Sequence, residues 1–108
     1  MTHWVRLWGN MPNDLKWRVI ARHSGRPMTG VLAVFIHMMT NAGGNEEARG
    51  TLHKWDDEVI AVALDIDTEH VAAIRLAMQG KILDGDRLTG WEKRQPKRED
   101  SSAERTRA

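Results

Sequence analysis

Hydrophobic and polar positions along this chain fall into short blocks whose spacing predicts brief strands and four helices. Trp4-Val5-Arg6-Leu7-Trp8 alternates apolar with other residues and is rich in strand formers, so residues 4–8 are predicted as a short strand. Asn10-Met11-Pro12-Asn13 follows as a turn. Asn13 or Asp14 can cap a helix that runs to about Ser24 and stops at Gly25. Leu15, Val19 and Ile20 are expected on its buried side, and Lys16, Arg18 and Arg22 on its wet side. A second helix opens at Pro27, where a missing N–H costs nothing, and ends before Gly43-Gly44. Val31, Leu32, Val34, Phe35, Ile36, Met38 and Met39 surround it on nearly every side, which marks a central, buried helix. Gly30 is expected to admit a close neighbour, and the methionines read as core packing.

Asn45-Glu46-Glu47 is a polar loop, and Gly50-Thr51-Leu52-His53 has the character of a very short strand. Trp55 precedes Asp56 and Ile60 lies four residues beyond it, the pattern of a hydrophobic staple around an Asp cap. Val59, Ile60, Ala63 and Leu64 follow at helical spacing to a stop near Ile66. Ile66-Asp67 repeats the device, with Asp67 as cap and Val71 as staple partner. The helix so started carries Val71, Ile74 and Met78 on one face and ends at Gly80. Two capped helices joined with almost no linker match a helix-turn-helix. Ile82-Leu83-Asp84-Gly85-Asp86-Arg87-Leu88 then reads as a hairpin, or wing, turning at Asp84-Gly85. The expected fold is mainly α with a small β-sheet: a winged helix-turn-helix preceded by an N-terminal strand and helix.

Composition narrows the class. A chain of 108 residues with 41% apolar and 29% charged residues fits one soluble globular domain. It has no cysteine, so disulfides and thiolate metal sites are excluded and a reducing, cytoplasmic setting is expected. Residues 1–10 do not read as a signal peptide, because Arg6 interrupts a very short apolar run. Residues 31–39 contain His37 and are too short to span a bilayer. Apolar residues other than alanine vanish after Trp91. The expected organisation is therefore a domain over residues 1–91 and a charged flexible tail or linker start over 92–108. The tail holds six Lys/Arg against four Asp/Glu, a net +2, and residues 1–91 hold ten against eleven, a net −1. A body of that balance does not grip nucleic acid by charge alone.

The chain resembles the N-terminal domain of phage and prophage replication proteins, the replisome-organiser and DnaD-like primosomal group. The resemblance is carried by Trp4, by Asp14-Leu15-Lys16 at a helix start, and by the apolar helix over residues 31–39. Trp55-Asp56-Asp57-Glu58 adds to it, as does the closing Gly90-Trp91-Glu92-Lys93-Arg94-Gln95 followed by Arg98-Glu99-Asp100-Ser101. Ser102-Ala103-Glu104-Arg105-Thr106-Arg107 is similar to the start of the charged linker found in such proteins. The resemblance implies a role in starting DNA replication, by binding origin DNA or by helping to load a helicase. It also implies that the domain can serve as an oligomerisation module.

Catalytic and metal chemistry find no support in the residue pattern. Histidines 3, 23, 37, 53 and 70 include no i, i+4 pair, and Gly43-Gly44 lacks the Lys-Ser/Thr of a phosphate loop. The acidic run Asp56-Asp57-Glu58 is accounted for by capping and the helix dipole. No enzyme activity, cofactor or metal is expected. On the second helix of the pair, Val71, Ile74 and Met78 face inward, with Arg75 at the edge of that face. Glu69, Ala73 and Leu76 face outward, with His70 and Gln79 to the sides. That surface lacks the cations of a base reader, so phosphate contacts are expected from Lys81 and Arg87 on the wing and from Lys93 and Arg94 beyond it.

Two functions follow. One is DNA binding, duplex or single-stranded, by a replication initiator through Lys81, Arg87, Lys93 and Arg94, with His70 and Gln79 touching the groove. The other is protein interaction, with replication proteins such as a helicase or its loader or with another copy, through Ala73 and Leu76. A transcriptional regulator is a third, lesser alternative. The five tryptophans are expected mostly at the core periphery; the alternative is that one of them serves as a partner-facing anchor.

Overall fold

The computed structural model describes residues 4–95. Residues 1–3 and 96–108, and so most of the charged segment expected as a tail, lie outside the described residues. The architecture is mainly helical with one small antiparallel sheet of two strands.

Helix α1 spans Lys16–Ser24 and stops at Gly25, whose left-handed φ of 71° lets its N–H reach the Ala21 carbonyl. Its start is secured by Asp14, whose carboxylate accepts from the Lys16 N–H at 3.0 Å. The buried face matches the expected one at Ile20 and differs at Leu15 and Val19. Trp17 and Ile20 are fully buried, whereas Leu15 and Val19 are 68% and 42% exposed. Burying the largest side chain sets the rotation of the helix: Trp17 stacks on Phe35 at 4.5 Å, and its indole N–H donates to the Met11 carbonyl.

Residues 4–8 do not form a strand, because among the described residues no strand pairs with them. Arg6 instead donates its N–H to Gln95 Oε1 at 2.7 Å and accepts from Gln95 Nε2 at 2.9 Å, so one side-chain amide replaces a ladder. These bonds help to bury Gln95, four positions beyond Trp91.

Helix α2, Met28–Gly43, forms the centre of the core through Val31, Val34, Phe35, Met38, Met39 and Ala42. Its covering is incomplete, since Ile36 remains exposed. A Cβ on Gly30 would stand 3.6 Å from Ile74 Cδ1, an ordinary contact, so the space there does not demand glycine. The loop after α2 is held by Asn45, which is buried and bonds both Thr51 and Ala48.

Helix α3, Asp57–Leu64, is capped as expected: Asp56 accepts from the Glu58 and Val59 N–H groups. Asp65 closes it in the left-handed conformation, and α4 covers Thr68–Met78. Asp67 holds the N-cap position of α4, but its carboxylate caps no backbone group. Val71, Ile74 and Met78 of α4 are essentially inaccessible. α4 packs against α1, α3 and α2.

Strands β1, Leu83–Asp84, and β2, Arg87–Leu88, pair Leu83 with Leu88 and Asp84 with Arg87. The two-residue loop is therefore Gly85-Asp86, one place later than the expected turn, with Gly85 supplying the positive φ its first position needs. The predicted strand over 50–53 is reduced to a bridge between Thr51 and Arg87. Two further bonds support it, Leu52 N–H to the Asp86 carbonyl and Leu88 N–H to the Gly50 carbonyl. A short helix α5, Trp91–Arg94, ends the described chain. Trp17 and Trp91 belong to the core, Trp8 and Trp55 are half-buried, and Trp4 is 70% exposed, so the tryptophans are not confined to the periphery.

Candidate nucleic-acid interface

The residues expected to meet DNA fall into three groups. Gln79, Lys81 and Arg87 belong to the end of α4 and the hairpin after it, and Lys93 lies just beyond, in α5. His70 sits near the opposite end of that helix, about 13 Å away by helical rise. Arg94 lies against the N-terminal segment.

At the wing end each side chain has a defined state. Gln79 donates from its amide to the Gly85 carbonyl at 2.8 Å and accepts from the Gly85 N–H at 3.0 Å. Its amide is thus a strut that fixes the wing to α4. Arg87 is ion-paired with Glu92. Lys81 anchors the start of the hairpin through its carbonyl, which accepts from Thr89 Oγ1. The ammonium groups of Lys81 and Lys93 have no partner among the described residues, and Lys93 is exposed. Arg94 lays its guanidinium over the Trp8 ring at 4.3 Å, a packing role. His70 is half-buried, with Nε2 3.7 Å from Asp67. On the outer face of α4, Leu76 is 64% exposed and Ala73 is half-buried.

One arrangement escaped the sequence reading. Arg75 donates from Nε and Nη2 to the two oxygens of Asp57, at 3.0 and 2.9 Å, and the Trp55 indole N–H donates to the same carboxylate at 2.7 Å. Asp57 opens α3 and Arg75 lies in the last turn of α4, so this fork fixes the angle between the two helices. The position of Arg75 at the edge of the inward face was the available signal; nothing local tied it to Asp57.

The hydrogen bonds from Arg75, then that from Trp55, hold the Asp57 carboxyl below its ordinary range against the opposing effect of burial. A carboxyl depressed in the folded state stabilises above its unfolded pKa, near pH 4, and loses that contribution as pH falls through the folded value. Asp57→Asn is therefore expected to cost about 2 kcal/mol at neutral pH, lowering Tm by about 10 °C. The gap from wild type should close below about pH 4. Thermal melts of both proteins across that range check this; a gap independent of pH would show that the charge is immaterial.

Among the described residues no three His, Asp or Glu side chains converge as metal ligands. No described helix is long and apolar enough to cross a membrane. Comparison with protein-family models, curated proteins and solved structures finds no match to this chain.

Proposed function

We propose that this chain is the DNA-binding winged-helix module of a phage-type replication initiator. The observation that carries the reading is the hydrogen-bonded unit made by α4, the hairpin directly after it, and residues 50–52 laid along β2. With the tight α3–α4 junction, this is the order of elements a winged helix needs. The initiator role follows from the sequence resemblance.

The contact would be made to phosphate rather than to bases. The outer face of α4 offers Glu69 and Leu76, and Gln79 is committed to the wing, so little remains to read base edges. Lys81 and Lys93 flank the hairpin with ammonium groups unpaired among the described residues, and Arg87 joins them only by leaving Glu92. Binding of this kind weakens steeply with salt.

The test is a titration into labelled duplex and single-stranded DNA between about 50 and 200 mM salt. Saturable, salt-sensitive binding is expected. Lys81→Ala with Lys93→Ala should reduce the slope of log K against log salt by about 1.8 if both lysines neutralise phosphate. Absence of binding at the lower salt would overturn the reading. A second reading, contact with a protein through the outer face of α4, is favoured by the exposure of Leu76. Under it, Leu76→Glu abolishes capture of the replication partner while leaving the thermal melt unchanged.

A further inference from the structure

Charge is segregated along this chain in a way the net value conceals. Residues 15–45 hold Lys16, Arg18, Arg22 and Arg26 and no acidic residue. Residues 55–74 hold Asp56, Asp57, Glu58, Asp65, Asp67 and Glu69 and neither lysine nor arginine. The first stretch contains α1 and the second contains α3, and the two helices pack on a shared neighbour, α4.

Both helices also leave aliphatic side chains in water. Leu15, Arg18, Val19 and Arg22 follow at i, i+3, i+4 and i+7 and so share one face at α1. Leu15 is 68% and Val19 42% exposed, and the two arginines are exposed without an ion-pair partner among the described residues. At α3 the matching set is Glu58, Val59, Val62 and Asp65. Val59 is 61% and Val62 78% exposed, and Glu58 and Asp65 have no partner among the described residues. Asp56 and Asp57, by contrast, are occupied by the cap of α3 and by Arg75.

We infer that the α1 face of one copy docks on the α3 face of a second copy, aliphatic side chains meeting in the middle and arginines meeting carboxylates at the rim. The two faces differ, so the contact is heterologous: each copy keeps one free face of each kind, and the assembly grows head to tail. It uses neither Leu76 on α4 nor the lysines of the wing, so it is independent of the proposed DNA contact. Two single-helix faces form an interface at the small end of the range, and the association is correspondingly weak, micromolar or above. Separation of the charges into two patches favours this docking over random collision.

Sedimentation equilibrium of the full chain tests the inference. At about 50 mM salt the weight-average mass is expected to rise with concentration above the 12.3 kDa monomer, and to fall back at about 500 mM as the rim charges are screened. Arg18→Glu, which spoils the α1 face, and Val62→Glu, which spoils the α3 face, should each be monomeric with unaltered thermal melts, since both positions are exposed. Mixing the two variants should yield a species of two chains and nothing larger, because one intact face of each kind remains in the mixture. A wild-type chain that is monomeric throughout overturns the proposal. So does an assembly that survives both substitutions, a mixture that stays monomeric, or an assembly lost only with Leu76→Glu.

Discussion

Replacing Trp17 by Ala is expected to remove a large part of the stability of the fold. The indole is fully buried, stacks on Phe35 and touches no solvent. Truncating a buried Trp to Ala costs about 3–5 kcal/mol through lost transfer energy and the cavity left behind. A domain of this size has only about 5–15 kcal/mol in total. The variant also takes the indole N–H from the Met11 carbonyl, leaving it the Asp14 N–H alone. In a thermal melt followed by circular dichroism, Tm should fall by at least about 15 °C, or the transition should disappear. Trp17→Phe keeps one six-membered ring but loses the pyrrole atoms and the donor, so its cost should be smaller, about 2–3 kcal/mol. A shift of only a few degrees for the alanine variant would mean that Trp17 does not set the rotation of α1.

Gly50→Ala should be nearly as damaging. Gly50 sits at φ 96°, a conformation that L-residues rarely adopt, and an added Cβ would come within 2.7 Å of Cγ and 2.9 Å of Cδ1 of Trp91. That ring is rigid and buried, so the clash cannot be relieved by bending a flexible tip. The same residue accepts from the Leu88 N–H and donates to the Ala42 carbonyl, so moving it loosens both the hairpin and the end of α2. The combined cost is expected at about 3 kcal/mol, or a fall in Tm of about 15 °C. Gly80→Ala is the control. Gly80 also has a positive φ, 81°, but a Cβ there meets nothing within 4 Å. Its cost should be only the backbone part, about 1 kcal/mol. Equal losses for the two variants would show that contact with Trp91 is immaterial.

These two sites mark how far the sequence could be read. Gly50 was legible only as part of a short strand; that it lies under the ring of Trp91, 41 positions later, was not. Trp17 was visible as an aromatic residue, yet helical periodicity alone favoured Leu15, Val19 and Ile20 as the inner face, of which only Ile20 is buried. Periodicity gives the angular spacing of a helix and leaves its rotation free unless one stripe is plainly apolar. In α1 apolar residues lie on both sides, so the neighbours decide, and Phe35 with the Met11 carbonyl selects the side that buries the indole.

The candidate site shows the same division. Sequence placed Lys81, Arg87, Lys93 and Arg94 near the hairpin because they are close to it along the chain. It could not tell which of their charges stay free, since Glu92 and Trp8 find Arg87 and Arg94 only after the chain has folded. Gln79 read as a groove-facing amide and is a strut for the wing, because the chain returns at Gly85 to meet it.

What the sequence determined by itself is local. The cap at Asp56, the stop at Gly25, the inward stripe of Val71, Ile74 and Met78, and a hairpin around Gly85 each depend on residues a few positions apart. Backbone sterics and near-neighbour hydrogen bonds act at that range whatever the rest of the chain does. Only the tertiary structure decided the rotation of α1, the replacement of a first strand by the Gln95 amide, and the Asp57–Arg75 fork between α3 and α4. Those depend on burial and on partners up to 89 positions apart, and such partners gain their energy only when a common core excludes water from around them.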